Sequence, residues 1–294
     1  MKAVLLPDRG VVKVGGDGAR AFLNGLLTAD IGQMTPATPR FAALLTPQGK
    51  IIVDCIVVEA SDEDGSGFYL DCPRALASDL VAKLNFYKLR AKVTVEDLSA
   101  ALGVLAAWDG AGNSEYGLVY ADPRLPALGQ RMILPAHLAR EAVNDLGAEF
   151  VEASAYEAHR IALGVPRGGI DFSYGDAFPH ETDMDQLNGV DFAKGCYVGQ
   201  EVVSRVEHRG SARKRIVPVS TEAFMPAAGV PVMAGAKQIG IMGSGAGPQG
   251  LAMLRLDYIS EAQAAGTPLV AGGLTIRPRK PSWARFDWPG EKTS

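Results

Sequence analysis

At 294 residues, with 47% hydrophobic and 21% charged positions, the chain has the bulk composition of a folded globular protein, which excludes a disordered or fibrous one. Its 29 basic and 33 acidic residues give a formal net charge of -4, so no whole-chain field draws it onto nucleic acid or an anionic membrane. Three cysteines, Cys55, Cys72 and Cys196, form no C-x-x-C pair; a disulfide framework is not expected, and one copy cannot supply the four thiolates of an all-cysteine iron-sulfur site.

The opening run from Met1 to Arg9 is too short in apolar residues for a signal peptide, and no stretch reaches the roughly 18 apolar residues of a membrane span. A cytoplasmic monomer with no membrane partner and no direct nucleic-acid binding is the expectation. Val11 to Val14 reads as a strand, Asp17 as a helix N-cap, and Phe22, Leu23, Leu26 and Leu27 as the apolar face of a short helix. Phe41 to Leu45 and Ile51 to Val58 read as a hairpin closed by Thr46-Pro-Gln-Gly-Lys50. A loop at Ser61 to Gly67, a strand Phe68 to Asp71, a helix from Arg74 to Asn85 and a strand Ala91 to Glu96 follow, an order that predicts an α+β class.

The middle of the chain predicts strands at Ala101 to Ala107 and Gln130 to Leu134, and helices at Ala136 to Leu146 and Ser154 to Leu163, the last stopped by Gly164-Val-Pro166. Residues 165 to 193 are polar and irregular, a length at which loops are functional or mobile. From Arg213 on, short β runs at Ile216 to Ser220, Val230 to Val232, Gln238 to Ser244, Gly250 to Arg255 and Thr275 to Arg277 predict a separate antiparallel barrel or sandwich, with a frayed tail after Pro281. The division expected is 1–212, holding two interleaved modules of which one spans roughly 40–100, and 213–294.

The segment richest in chemistry is Lys194-Gly-Cys-Tyr-Val-Gly-Gln-Glu201. Gly199 reads as the boundary of a helix whose apolar face is Val202, Val203 and Val206, which puts Cys196 one turn upstream. A thiol near a helix N-terminus and beside an ammonium such as Lys194 is one whose thiolate is favoured. Gly195 and Gly199 let the backbone bend closely around the point or around a ligand. Read by itself, Cys196 is either a reactive thiol or an inert buried one.

This segment resembles the K-G-C-[FY]-x-G-Q-E signature of YgfZ-type proteins at every fixed position. Further stretches are similar to the same family: Phe22-Leu-Asn-Gly-Leu-Leu-Thr-Ala-Asp30, with Asn24 and Ala29 as departures; Leu44 to Lys50 with Asp54; Tyr87-x-Leu-Arg90-x-Lys-Val93; and Arg160 to Pro166 with Asp171, Pro179-x-Glu181 and Asn188. The resemblance covers about residues 10 to 210. It implies a multi-module fold like that of the glycine-cleavage T-protein (GcvT) around a central folate pocket, with a small C-terminal antiparallel β-barrel. It also implies a tetrahydrofolate cofactor and a role in assembly or repair of iron-sulfur clusters, with iron-sulfur proteins or their assembly factors as partners and tRNA modification as an indirect beneficiary. Where the T-protein carries an acidic pair at the pterin this chain reads Val53-Asp54, so folate-dependent aminomethyl or one-carbon transfer is the alternative and lacks one carboxylate.

The resemblance makes Cys196 and Lys194 the candidate reactive pair, and Asp54, Arg160, Tyr197, Gly199, Gln200 and Glu201 the candidate folate contacts. Asp54 reads as a pterin contact or as a strand-edge carboxylate facing water. Arg160 reads as a fork for the folate tail or as a solvent-facing helical residue. The basic run Arg205, His208, Arg209, Arg213, Lys214, Arg215 is either an attractor for polyanions or a solvated connector. His137, His159, His180 and His208 lack metal-ligand spacing, and no metal is assigned.

Overall fold

A computed structural model describes residues 1–62, 65–209 and 212–290. Part of the expected 61–67 loop, the end of the tail and the side chain of Arg209 lie outside the described residues. The chain forms two compact units, Met1–Tyr156 with Leu187–Gln200, and Glu157–Gln186 with Glu201–Ser294.

The first unit holds two five-stranded sheets. One has the order β3-β4-β5-β2-β6, made of β2 (Arg9–Gly15), β3 (Arg40–Leu45), β4 (Ile51–Ala60), β5 (Gly67–Pro73) and β6 (Thr94–Asp97). The other has the order β10-β1-β7-β9-β8, from β1 (Lys2–Leu6), β7 (Leu102–Trp108), β8 (Leu118–Ala121), β9 (Gln130–Pro135) and β10 (Glu149–Phe150). Alternation along each strand decides which side chains face which layer. Val53, Cys55 and Val57 of β4 point into a core shared with α1 (Ala19–Asn24) and α2 (Ala77–Lys88), around Leu23, Leu27, Leu80 and Leu84. Leu105, Ala107, Met132 and Leu134 of the second sheet pack with Ala142 and Val143 of α3 (Ala139–Asp145).

Between the sheets lies a polar core that the sequence reading did not anticipate. Asp71 of β5, fully buried, accepts from Arg9 Nε at 2.6 Å, Arg131 Nη1 at 2.6 Å and the Tyr120 hydroxyl at 3.0 Å. Arg131 also donates to Asp122 at 2.9 Å and to the Tyr156 hydroxyl at 3.1 Å, and Arg124 grips Asp122 with two nitrogens. Burial alone raises both carboxyls, but Arg9 and Arg131 pull Asp71, and Arg124 and Arg131 pull Asp122, below the ordinary carboxylate range. The signal was present as a charge ending an apolar strand, Phe68-Tyr-Leu-Asp71, and one opening another, Arg131 to Leu134.

In the second unit the expected β-rich end is a closed six-stranded antiparallel barrel, in the order β11-β14-β13-β12-β15-β16: β11 (Lys214–Ser220), β12 (Pro231–Ala234), β13 (Lys237–Ala246), β14 (Gln249–Arg255), β15 (Leu269–Ala271) and β16 (Leu274–Pro278). Closure removes exposed sheet edges. The α+β class with a small C-terminal barrel is what the sequence predicts, while β1, β8, β10, β15 and α6 (Leu256–Ala264) escaped it. Two local expectations are corrected. The first helix is preceded by Gly18 with no side-chain cap, so Asp17 is not its N-cap. The tail is pinned at least through Trp288: Trp283 Nε1 donates to the Leu163 carbonyl at 2.8 Å, and Phe286 and Trp288 pack on the barrel core.

Candidate functional site

The signature segment is held by the other segments that resemble the same family. Lys194 is 9% exposed, and its ammonium donates to the carbonyl oxygens of Asn24, Leu27 and Ala29 at 2.8, 2.6 and 2.8 Å. Those three carbonyls sit where the backbone leaves α1 and turns, so the ammonium satisfies acceptors that have no helical partner. Burial lowers the Lys194 pKa to about 8, against the pull of Asp30 and Asp191. Thr28 ties the same turn to the approach of the signature: its hydroxyl donates to the Gly189 carbonyl at 2.6 Å and its own carbonyl accepts from the Asp191 amide at 2.9 Å. Asp191 Oδ1 then accepts from the amides of Ala193 and Lys194, closing the turn into the motif.

After the turn the segment divides by exposure. Cys196 is exposed, whereas Tyr197 is 7% exposed with the Lys194 ammonium 5.1 Å from its ring centre, and burial raises its phenol to about 12. Val198 packs on the α1–α2 core. Gly199 has φ +83°, and a Cβ there would come within 2.6 Å of the Thr46 carbonyl oxygen, so glycine is required where the segment crosses the β3–β4 turn. Gly195 has open space around it, so within the chain only Gly199 makes a close approach. Helix α5 (Gln200–Arg209) starts where expected, with Glu201 exposed and paired to Arg205 at 2.6 Å.

Lys194 and Cys196 share no hydrogen bond, although both are described residues. The lysine's ammonium is bonded to the turn after α1, at the start of the loop that carries the sulfur. The other two thiols lie in the α1–α2 core, where burial pushes Cys72 up to about 12 and Cys55 well above its usual value. Cys196 is the one exposed thiol of the chain's three.

Beside the turn that carries Lys194 is a cavity of about 620 Å³ lined by Asp30, Arg40, Phe41, Asn188, Asp191 and Phe192 among others. Its size falls in the range of small-molecule sites. None of the expected folate contacts lines it. Asp54 stands opposite Ala43 in the ladder, 8% exposed, on the inner face of its sheet where its charge acts on Arg9. Arg160 is in the second unit and its guanidinium is fully engaged: it donates to Glu157, to the Val165 carbonyl at 2.9 Å, to Asp171 at 2.9 Å and to Ser244 at 2.6 Å. Asp171 in turn accepts from the Ser244 amide at 2.6 Å beside a bulge in β13, so this pair fastens the 157–186 segment to the barrel.

The basic run is also reassigned. Arg215 is 5% exposed and bonded to Asp183, Asp185 and the His180 carbonyl, and Lys214 pairs with Glu181 at 3.2 Å. His180, Asp185 and Glu207 bring one donor atom each within 4.8 Å of one another, with both Asp185 oxygens already taken by Arg215.

Two sheets followed by a closed barrel define the fold class of aminomethyltransferase T. The solved T-protein of the glycine cleavage system from Bartonella henselae superposes with a TM-score of 0.72 over 98% of this chain and 87% of that one, at 15% identity, a likeness of fold. Residues 213–286 match the family described as CAF17, C-terminal beta-barrel domain. The chain belongs to the IBA57 family of iron-sulfur cluster assembly factors. It is 32% identical over 285 residues to iron-sulfur cluster assembly factor IBA57, mitochondrial, of Mus musculus, covering 86% of this chain and 77% of that one. The IBA57 homologues of Mycosarcoma maydis and Coccidioides immitis are 36% and 31% identical over 74% and 83% of this chain, which spans 57% and 64% of their lengths. All three relatives are named mitochondrial proteins, which overturns the expected cytoplasmic location. Among the described residues no helix is long and apolar enough to cross a membrane.

Proposed function

We propose that the protein assists iron-sulfur cluster assembly, with Cys196 as the sulfur that meets the cargo. The observation that carries this reading is the division of its thiols: two are sealed in a core that disfavours their anions, and the third is exposed on a loop clamped by Lys194. One exposed cysteine sulfur supplies a single ligand, so the remaining cluster ligands come from a partner, an iron-sulfur protein or an assembly factor. The relatives named above, which are iron-sulfur assembly factors, support the same role.

The YgfZ-type resemblance adds the finer part, a reduced folate and, through cluster enzymes, indirect support of tRNA modification. The chemistry of the cavity beside the Lys194 turn supports a folate there, although the contacts the resemblance implies lie elsewhere. The cavity of about 620 Å³ has the carboxylates of Asp30 and Asp191 in its lining, which suit ring amine and amide hydrogens, and Phe41 and Phe192 among its apolar walls. When bound, a folate would supply a one-carbon carrier, and this chain's own residues would hold and orient it. The transferase alternative has the fold in its favour and lacks the second carboxylate beside Asp54.

An add-back assay tests the central part. In an extract depleted of the protein, maturation of a cluster enzyme is restored by the native chain and not by the same chain alkylated at Cys196. Equal restoration by the alkylated chain contradicts the proposal.

A further inference from the structure

The C-terminal end of α2 carries an unexplained apolar protrusion. Phe86 is 75% exposed and Leu89 is 90% exposed, on a chain whose other large apolar side chains are mostly buried. Leu89 ends the helix at φ +43° and ψ -103°, a conformation that favours glycine, so an exposed leucine sits where neither solvation nor backbone preference selects one. Beside the protrusion runs a groove of about 460 Å³ whose apolar walls include Ile52, Leu76 and Leu80. Lys83 lines the groove with Asp79, Lys88 and Arg90 flank Leu89 in the sequence and Lys92 follows two positions on; among the described residues none of the four is in an ion pair.

From this arrangement we infer that the end of α2 is a docking surface for an acidic segment of a partner protein that carries its own apolar side chain. Phe86 and Leu89 would be the anchors and the groove would take the partner's apolar residue, the usual composition of an interface centre. With Asp79 as its one carboxylate, the stretch 79–92 carries these four cations on a chain of net charge -4, which selects an acidic partner by charge complementarity. A lipid surface requires no groove. A second copy joined by a two-fold axis would set the same cations against each other. The inference rests on the assembly-factor reading only for the class of partner it serves.

The test titrates the full chain with a fluorescein-labelled helical peptide bearing leucines on one face and glutamates on the other. Its lysine-for-glutamate counterpart and phosphatidylserine vesicles are run alongside. Saturable binding of the acidic peptide is expected, weakening with salt. Phe86→Ser with Leu89→Ser, and separately Lys83→Glu with Lys88→Glu, should each lower the affinity about tenfold or more. These side chains are at the surface, so the circular dichroism of the variants should match the parent, and Cys196→Ala should bind the peptide unchanged. The proposal is overturned if the acidic peptide does not bind, if both double variants bind like the parent, if vesicles are the tighter ligand, or if the protrusion instead drives dimerisation. Failure of the Cys196 add-back with intact peptide binding would remove the function and leave this surface standing.

Discussion

The ammonium of Lys194 lies 2.6 Å from the carbonyl oxygen of Leu27, 167 positions earlier in the chain, and the contact is buried. Through this bond and its companions to Asn24 and Ala29, the turn after α1 fixes where the loop carrying Cys196 begins.

Replacing Lys194 by Met should therefore cost more than a surface lysine does. Three carbonyls lose charged donors, and a loss of about 2–4 kcal/mol is expected by chemical denaturation. Lys194→Arg should not rescue it, because a planar fork does not reproduce three converging bonds from one nitrogen. A change of less than about 0.5 kcal/mol, typical of an exposed position, would show the clamp to be incidental.

The two glycines of the signature should behave differently. Gly199→Ala puts a methyl against the Thr46 carbonyl from a left-handed backbone, and is expected to destabilise by about 1–3 kcal/mol. Gly195→Ala meets open space and should fold normally. Equal effects in thermal melts would contradict the geometry.

How much of this was legible in the sequence depends on the range of the contact. The β3–β4 hairpin, α2, α4 (Ala153–Leu163), α5 and most barrel strands follow from local periodicity and turn residues, so they could be read directly. Short edge strands such as β10, two residues long, carry too little pattern. The signature's importance was visible in its residues, but Lys194 beside Cys196 in sequence suggested a charge pair, while in space the ammonium turns to Asn24, Leu27 and Ala29. The partners of Arg160 were equally out of local reach: Asp171 and Ser244 lie 11 and 84 positions away. The cavity's Asp30 and Asn188 stood in family-like stretches, yet nothing local marked them as neighbours.

The core between the sheets makes stability depend on acid. Asp71 and Asp122 have folded values below those of an unfolded chain, so they contribute stability above about pH 4 that is lost as pH falls below it. Asp183, pushed well above its usual value by burial despite Arg215, works in the opposite sense and gains a proton in the native state first. The melting temperature should fall steeply below about pH 4. Asp71→Asn should flatten that limb, and an unchanged limb would refute the assignment.

Arg131 joins Asp71, Asp122 and Tyr156, so Arg131→Met leaves two buried carboxylates short of a partner. A loss of about 3–5 kcal/mol at neutral pH is expected, measured by urea unfolding. A neutral outcome would mean that the sheets tolerate an apolar centre.

Of all these measurements, complementation addresses the function most directly. In a host lacking its own copy of the factor, the activity of an iron-sulfur enzyme should be restored by the parent chain and by Cys55→Ala with Cys72→Ala, and should stay lost with Cys196→Ala at equal protein level. Full restoration by Cys196→Ala would contradict the role given to that sulfur.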